Sequence, residues 1–153
     1  MRVLNNHHNG LAVRKTLVVD CPQARAFEVF TREIGTWWPT HTHSIGGDKI
    51  TEVVFEEQVG GRIYERHSDG GEGEWGRVLA WEPPTSFAMS WYPGHDDTRA
   101  TRLEVRFSEE GQSTRVDLEH TGWEILAAQA VETRDSYDSG WGVVLEYYTR
   151  LFG

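Results

Sequence analysis

Between residues 102 and 107 the chain alternates strictly, with Leu103, Val105 and Phe107 on one parity and Arg102, Glu104 and Arg106 on the other. A period of two is that of a β-strand with one buried and one wet face. Residues 114–120 repeat the pattern with one difference. Val116, Leu118 and His120 oppose Arg115, Asp117 and Glu119, so an imidazole stands where a third aliphatic is expected. Five further strand-like runs are predicted, at 11–20, 49–58, 62–67, 74–82 and 85–92. They are separated by Gly60-Gly61, the SDGGEG run at 68–73, Pro83-Pro84 and the PGHDD run at 93–97. Such residues supply positive φ, fixed φ or local side-chain caps, and the short breaks favour a meander of antiparallel strands over parallel crossovers.

The period lengthens twice. Ala26, Phe27, Phe30 and Ile34 recur near every 3.6 residues after Asp20 and Pro22, and Gly35 closes the segment, which predicts a first helix. Tyr137, Trp141, Val144, Tyr148 and Phe152 step by three or four through 131–153 and predict a long C-terminal helix flanked by Leu145 and Leu151. Gly140 and Gly142 weaken that helix and point to a close approach or a bend. The predicted order is strand, helix, six antiparallel strands, helix. This is an α+β chain whose sheet needs an apolar cover, and the last helix is the longest apolar object available for it.

Composition narrows the function. The 153 residues suit a single domain over 11–153 preceded by a polar segment, 1–10, expected to be flexible. A net charge of −9 argues against nucleic acid and anionic membrane as partners. No apolar stretch nears the roughly 20 residues of a membrane span. One cysteine, Cys21, and an amino terminus without an apolar leader make a reducing cytoplasm the expected compartment. Seven tryptophans and six phenylalanines mean either an aromatic core or a ring-lined pocket. No cofactor-binding motif, serine elbow or supported cysteine nucleophile occurs, so no cofactor is expected. His41 and His43 make an H-x-H, but two imidazoles are an incomplete metal site, so a loop or pocket rim is the preferred reading.

The stretches VRKTLVVDCPQARAFEVFT, VGGRIYERHSDG, EWGRVLAWEPPTSFAMSW, TRVDLEHTGWE and YDSGWGVVLEYY, in this order, resemble the START/Bet v 1-like (SRPBCC) superfamily, on the branch of the activator of Hsp90 ATPase homologue 1-like family. The resemblance implies a helix-grip fold: a curved antiparallel sheet of six to seven strands around the C-terminal helix, with a cavity between them that in relatives takes small apolar molecules. It does not carry chaperone binding over to this chain.

For such a cavity the candidate walls are Trp37 or Trp38, Trp75, Trp91, Leu103, Val105, Leu118, Tyr137, Trp141 and Tyr148, with His120 and Tyr64 as polar anchors. A buried imidazole needs a hydrogen-bond partner, and for His120 the candidates are Glu124, Tyr64 or a tyrosine of the last helix. His120 then either braces the structure or orients a ligand, and Arg62, Tyr64 and Arg66 either pair with carboxylates across strands or face the cavity. Three functions are compatible: binding of a small hydrophobic or aromatic molecule without catalysis, which is the preferred reading; a cyclase, dehydratase or hydrolase with His120 as general base; and a chaperone-associated interaction module. A homodimer stays open.

Overall fold

A computed structural model describes residues 11–153, so the 1–10 segment with His7 and His8 lies outside the described residues. The chain runs β1 (Val13–Val19), α1 (Gln23–Phe30), β2 (Ile50–Phe55), β3 (Arg62–His67), β4 (Glu72–Glu82), β5 (Ser86–Trp91), β6 (Thr101–Glu110), β7 (Ser113–Thr121) and α2 (Ala130–Arg150). Seven antiparallel strands form one curled sheet in the order β1-β7-β6-β5-β4-β3-β2. The meander from β2 to β7 follows from the short turns, and β1 closes it by pairing with β7, Val13 opposite His120 and Val19 opposite Thr114. This is the helix-grip arrangement, with α2 laid across the concave face.

Both helices are placed by what they bury. Ala26, Phe27, Val29 and Phe30 of α1 are buried, and Phe27 meets Phe107 edge-on at 5.2 Å between ring centroids. The helix starts at Pro22, whose carbonyl accepts the Ala26 N–H at 3.0 Å, while the Asp20 carboxylate accepts instead from the Ser113 hydroxyl at 3.2 Å. Trp141, Val144, Leu145 and Tyr148 of α2 face the sheet. The Tyr148 hydroxyl donates to the Ala26 carbonyl at 2.8 Å and ties the two helices together. A short 3-10 segment, Trp123–Gln129, precedes α2 and buries Trp123 and Leu126.

Inward-facing residues of β6 and β7 fill the interior: Leu103, Val105, Phe107, Val116 and Leu118 are at most 2% exposed. Fully burying such an aliphatic or phenyl group contributes roughly 1.5–3 kcal/mol. In β4, simple alternation fails. The odd-numbered residues Trp75, Arg77, Leu79 and Trp81 share one parity in sequence, yet Trp75 and Val78 are buried, Arg77 and Leu79 are exposed, and Trp81 packs on Phe27 at 5.1 Å. The register breaks on both sides of the strand, against β3 near Tyr64 and against β5 between Val78 and Ala80. Each irregularity shifts the pleat by one residue, so inward positions come every third residue. Gly76 sits inside this region because a Cβ there would lie 1.8 Å from the Ser90 carbonyl oxygen.

Candidate functional site

The body of the space between sheet and helix is solid. Leu103, Val105 and Leu118 belong to the packed core, and so does Tyr148, which is 0% exposed and meets Phe30 at 5.0 Å and Trp37 at 5.1 Å. The expected cavity is therefore displaced. It is a cleft of about 520 Å³ at one end of the grip, between the loop after Trp38, the start of β4, the end of β5, and the middle turns of α2. Its walls are Trp38, Trp75, Trp91 and Trp141 with Tyr137 and Val144. Its rim is Thr42, His43, Ser44, Ile45, Pro93, Gly94, Ser136 and Gly140.

The adjacent tryptophans divide as their backbone dictates. Trp37 turns into the core, donates its indole N–H to the Val29 carbonyl at 2.8 Å and packs on Phe30, so it is not a cleft residue. Trp38 turns into the cleft. The four cleft indoles touch one another: Trp38 to Trp75 at 4.9 Å, Trp38 to Trp141 at 5.7 Å, Trp75 to Trp91 at 5.9 Å and Trp91 to Trp141 at 5.4 Å between centroids. Trp38 and Trp91 keep 7% and 5% of their surface, whereas Trp75 and Trp141 back them at 1% and 2%.

Each of these indole N–H groups is used up within the protein. Trp38 donates to the His43 carbonyl at 2.6 Å, Trp75 to Glu65 Oε1 at 2.7 Å, Trp91 to Tyr137 Oη at 3.1 Å and Trp141 to His120 Nδ1 at 3.0 Å. An indole has no other polar atom. The four indoles therefore offer carbon and π surface alone, and polar recognition falls to the other lining residues. Among the described residues, no Asp, Glu, Lys or Arg lines the cleft.

His120 answers its own anomaly. It is 0% exposed and lies behind the wall, outside the cleft lining. An indole can only donate, so Nδ1 is the acceptor for Trp141 and the ring proton sits on Nε2. From there it reaches Thr101 Oγ1 at 2.7 Å, and the Thr101 hydroxyl passes its own proton to the Trp91 carbonyl at 3.2 Å. Burial holds the imidazole at a pKa of about 3, so it is neutral under ordinary conditions. Neither Glu124 nor Tyr64 is its partner, and Tyr137 meets it only ring edge to ring face at 5.3 Å. With both nitrogens committed, His120 has no lone pair for proton abstraction. It is a strut between β7, β6 and α2.

Tyr64 is corrected as well. On β3 the inward parity is Ile63, Glu65 and His67, while Arg62, Tyr64 and Arg66 share the other face, where the Arg62 guanidinium lies 3.9 Å above the Tyr64 ring and Arg66 donates to its hydroxyl at 2.9 Å, leaving Tyr64 buried at 3% exposure. The inward polar group of this strand, which sequence reasoning passed over, is Glu65. Its carboxylate is 0% exposed and accepts from Ile45 N at 3.0 Å, Gly46 N at 2.6 Å, Trp75 Nε1 at 2.7 Å and His67 Nε2 at 2.6 Å. Burial alone would raise its pKa, but these donors together outweigh it and hold the group below the ordinary carboxylate value. Glu65 thus fixes both a cleft tryptophan and the loop that forms the cleft's mouth. Gly46 is required there, since a Cβ would lie 2.5 Å from His67 Nε2 and 2.9 Å from Glu65 Oε2.

At the rim, His43 Nδ1 and Thr42 Oγ1 are 2.7 Å apart, and the Cδ2–Nε2 edge of the ring faces Gly140, about 4 Å from where a Cβ would stand. His41 is exposed, and no three His, Cys, Asp or Glu side chains converge on a metal-sized site among the described residues. Burial pushes the Tyr137 phenol above its ordinary pKa against the Trp91 hydrogen bond, so its proton stays on. Ile45, 41% exposed, stands uncovered at the mouth. None of the described helices is long and apolar enough to cross a membrane.

The family comparison agrees with this architecture. Residues 20–152 match the model for activator of Hsp90 ATPase homolog 1-like proteins, and the chain belongs to that family. Among solved structures, the anthrahydroquino-gamma-pyrone synthase Txn09, determined as a complex, is 37% identical over 83% of this chain and 86% of its own, with a TM-score of 0.58. Protein Ms6760 from Mycobacterium smegmatis is 18% identical over 97% of this chain and 94% of its own, TM-score 0.67. Protein MLL2253 from Mesorhizobium loti is 17% identical over 92% and 95%, TM-score 0.65. The last two share the fold. No curated protein matches the sequence.

Proposed function

We propose that this protein binds a flat, uncharged aromatic molecule in the tryptophan-walled cleft. The observation that carries the reading is the set of four cleft indoles whose N–H groups are all satisfied within the protein, leaving a π surface that asks nothing polar of its guest. A ligand pocket of this kind, mostly apolar with a few polar groups at defined points, is the common form for small-molecule sites. A cationic guest fits worse. The rings contact one another at 4.9–6.1 Å, so they form a continuous wall with no gap among them to enclose an ammonium group, and among the described residues no carboxylate lines the cleft. A carboxylate guest would find no lysine or arginine among the described lining residues.

A second reading is supported by one observation, the 37% identity to a protein described as a pyrone synthase. In it the bound molecule is a polycyclic precursor on which the protein closes a ring. The acid–base groups for such a reaction would come from the rim, since His120 is sealed by its own hydrogen bonds.

Titration with naphthalene by calorimetry tests the binding reading, with Gly140→Leu as the control. Gly140 lines the cleft, so a leucine there fills it, while the helix gains about 1 kcal/mol in propensity. The expected result is saturable binding by the natural protein and loss of binding in a variant that unfolds at the same or a higher temperature. Unchanged affinity in Gly140→Leu would remove the cleft from consideration.

A further inference from the structure

The cleft lining carries two polar atoms that the protein leaves for a guest. On one side, the Thr42 hydroxyl has a single proton, and the Pro39 carbonyl lies 3.4 Å away to take it. In the tautomer protonated at Nδ1, His43 donates to Thr42 Oγ1 at 2.7 Å, and Nε2 is an acceptor with no hydrogen-bond partner among the described residues. On the other side, Tyr137 Oη accepts from Trp91 Nε1, and its own proton has no acceptor among the described residues. The remaining rim hydroxyls differ. Ser44 Oγ is committed to the Thr40 carbonyl and to Gly47 N, and Ser136 stands exposed at the outer edge, where water competes for it.

We infer that His43 and Tyr137 form a specificity-determining pair, His43 accepting from a hydroxyl and Tyr137 donating to a carbonyl on the edge of a flat ring system, so that the preferred ligand is a phenolic aryl ketone. This rests on the proposed binding of aromatic molecules and adds the chemistry of the ligand's edge. The two groups come from a loop and from α2, and both residues line the cleft together with Trp38 and Trp91. A hydrocarbon of the same shape leaves both unpaired in a partly desolvated cleft, which is the arrangement that gives a site its discrimination against analogues lacking a polar group.

The test compares naphthalene, 2-naphthol, 2-acetylnaphthalene and 6-acetyl-2-naphthol by isothermal titration calorimetry. Adding the hydroxyl or the acetyl group should each tighten binding about 3- to 10-fold, the net yield of one hydrogen bond, and the compound with both should bind tightest. In His43→Phe the hydroxyl's gain should vanish and the acetyl's remain. In Tyr137→Phe the reverse should hold, read beside its thermal unfolding curve because that change leaves the Trp91 N–H unpaired. If Tyr137→Phe does not fold, the ligand series on the natural protein and His43→Phe still decide. Gains that are absent in the natural protein, or that persist in the variant meant to remove them, overturn the pairing. Failure of naphthalene itself to bind would instead sink the aromatic-cleft reading on which the pairing stands.

Discussion

Replacing His120 with leucine removes the central strut while keeping a side chain of similar bulk. One donor and one acceptor lose their partner: the Trp141 indole N–H, buried at 2% exposure, has no acceptor left, and Thr101 loses the imidazole proton that satisfied its oxygen. An orphaned buried donor costs roughly 1–3 kcal/mol, and the loss at Thr101 adds less, so a total of about 3 kcal/mol at pH 7 is expected. The cost should depend on pH with a definite sign. His120 has a depressed folded pKa of about 3 against an unfolded value of 6.5, so between those values the unfolded chain binds the extra proton. The natural protein's stability from this group is therefore complete above pH 6.5 and drains away as pH falls toward 3. From pH 7 to pH 5 the loss is about 2 kcal/mol. His120→Leu has no such group, so its penalty should shrink from about 3 to about 1 kcal/mol over the same interval. Urea unfolding followed by far-ultraviolet circular dichroism at the two pH values reads both numbers. A penalty that stays constant with pH, or one below about 1 kcal/mol at pH 7, would refute the strut.

Other consequences follow from the same geometry. Glu65→Gln replaces an acceptor for four donors by an amide whose own N–H groups face them, and should cost about 3 kcal/mol. Because the Glu65 pKa is lowered on folding, the natural protein should lose stability as pH drops below the ordinary carboxylate value of 4.5, and the glutamine variant should not show that component. Denaturant midpoints from pH 7 to pH 3 would show the difference. Gly76→Ala would press a methyl group against the Ser90 carbonyl at the β4 irregularity, costing about 3 kcal/mol and appearing as a large fall in melting temperature.

Periodicity made much of this fold legible. The alternation of Leu103, Val105 and Phe107 gave strand, face and burial together, and the stripe from Tyr137 to Tyr148 gave the covering helix. Where both parities of a strand carry polar groups, the pattern loses its power. On β3 the set Arg62, Tyr64, Arg66 and the set Ile63, Glu65, His67 look equally plausible as an inner face. Glu65 is paid for by donors from Ile45 and Gly46, about 20 positions earlier, and no local pattern announces them. On β4 parity alone does not separate Trp75 from Arg77 and Leu79, because irregularities in the ladder reset it, which is a property of strand pairing. His120 was visible as an oddity, but Thr101 and Trp141 lie 19 and 21 residues away and only the closed sheet brings them to it. The cleft's position, at one end of an otherwise filled grip, depended on which side chains complete the core. His43 could be read as a rim residue from its loop, though not as an acceptor left open beside Gly140.

The most direct test of the aromatic cleft is a crystal structure of the protein grown with saturating 6-acetyl-2-naphthol. The ring system should lie against Trp38 and Trp91, cover Ile45, and place its hydroxyl toward His43 and its carbonyl toward Tyr137. A cleft left empty under those conditions, or the compound bound at another surface, would contradict the account.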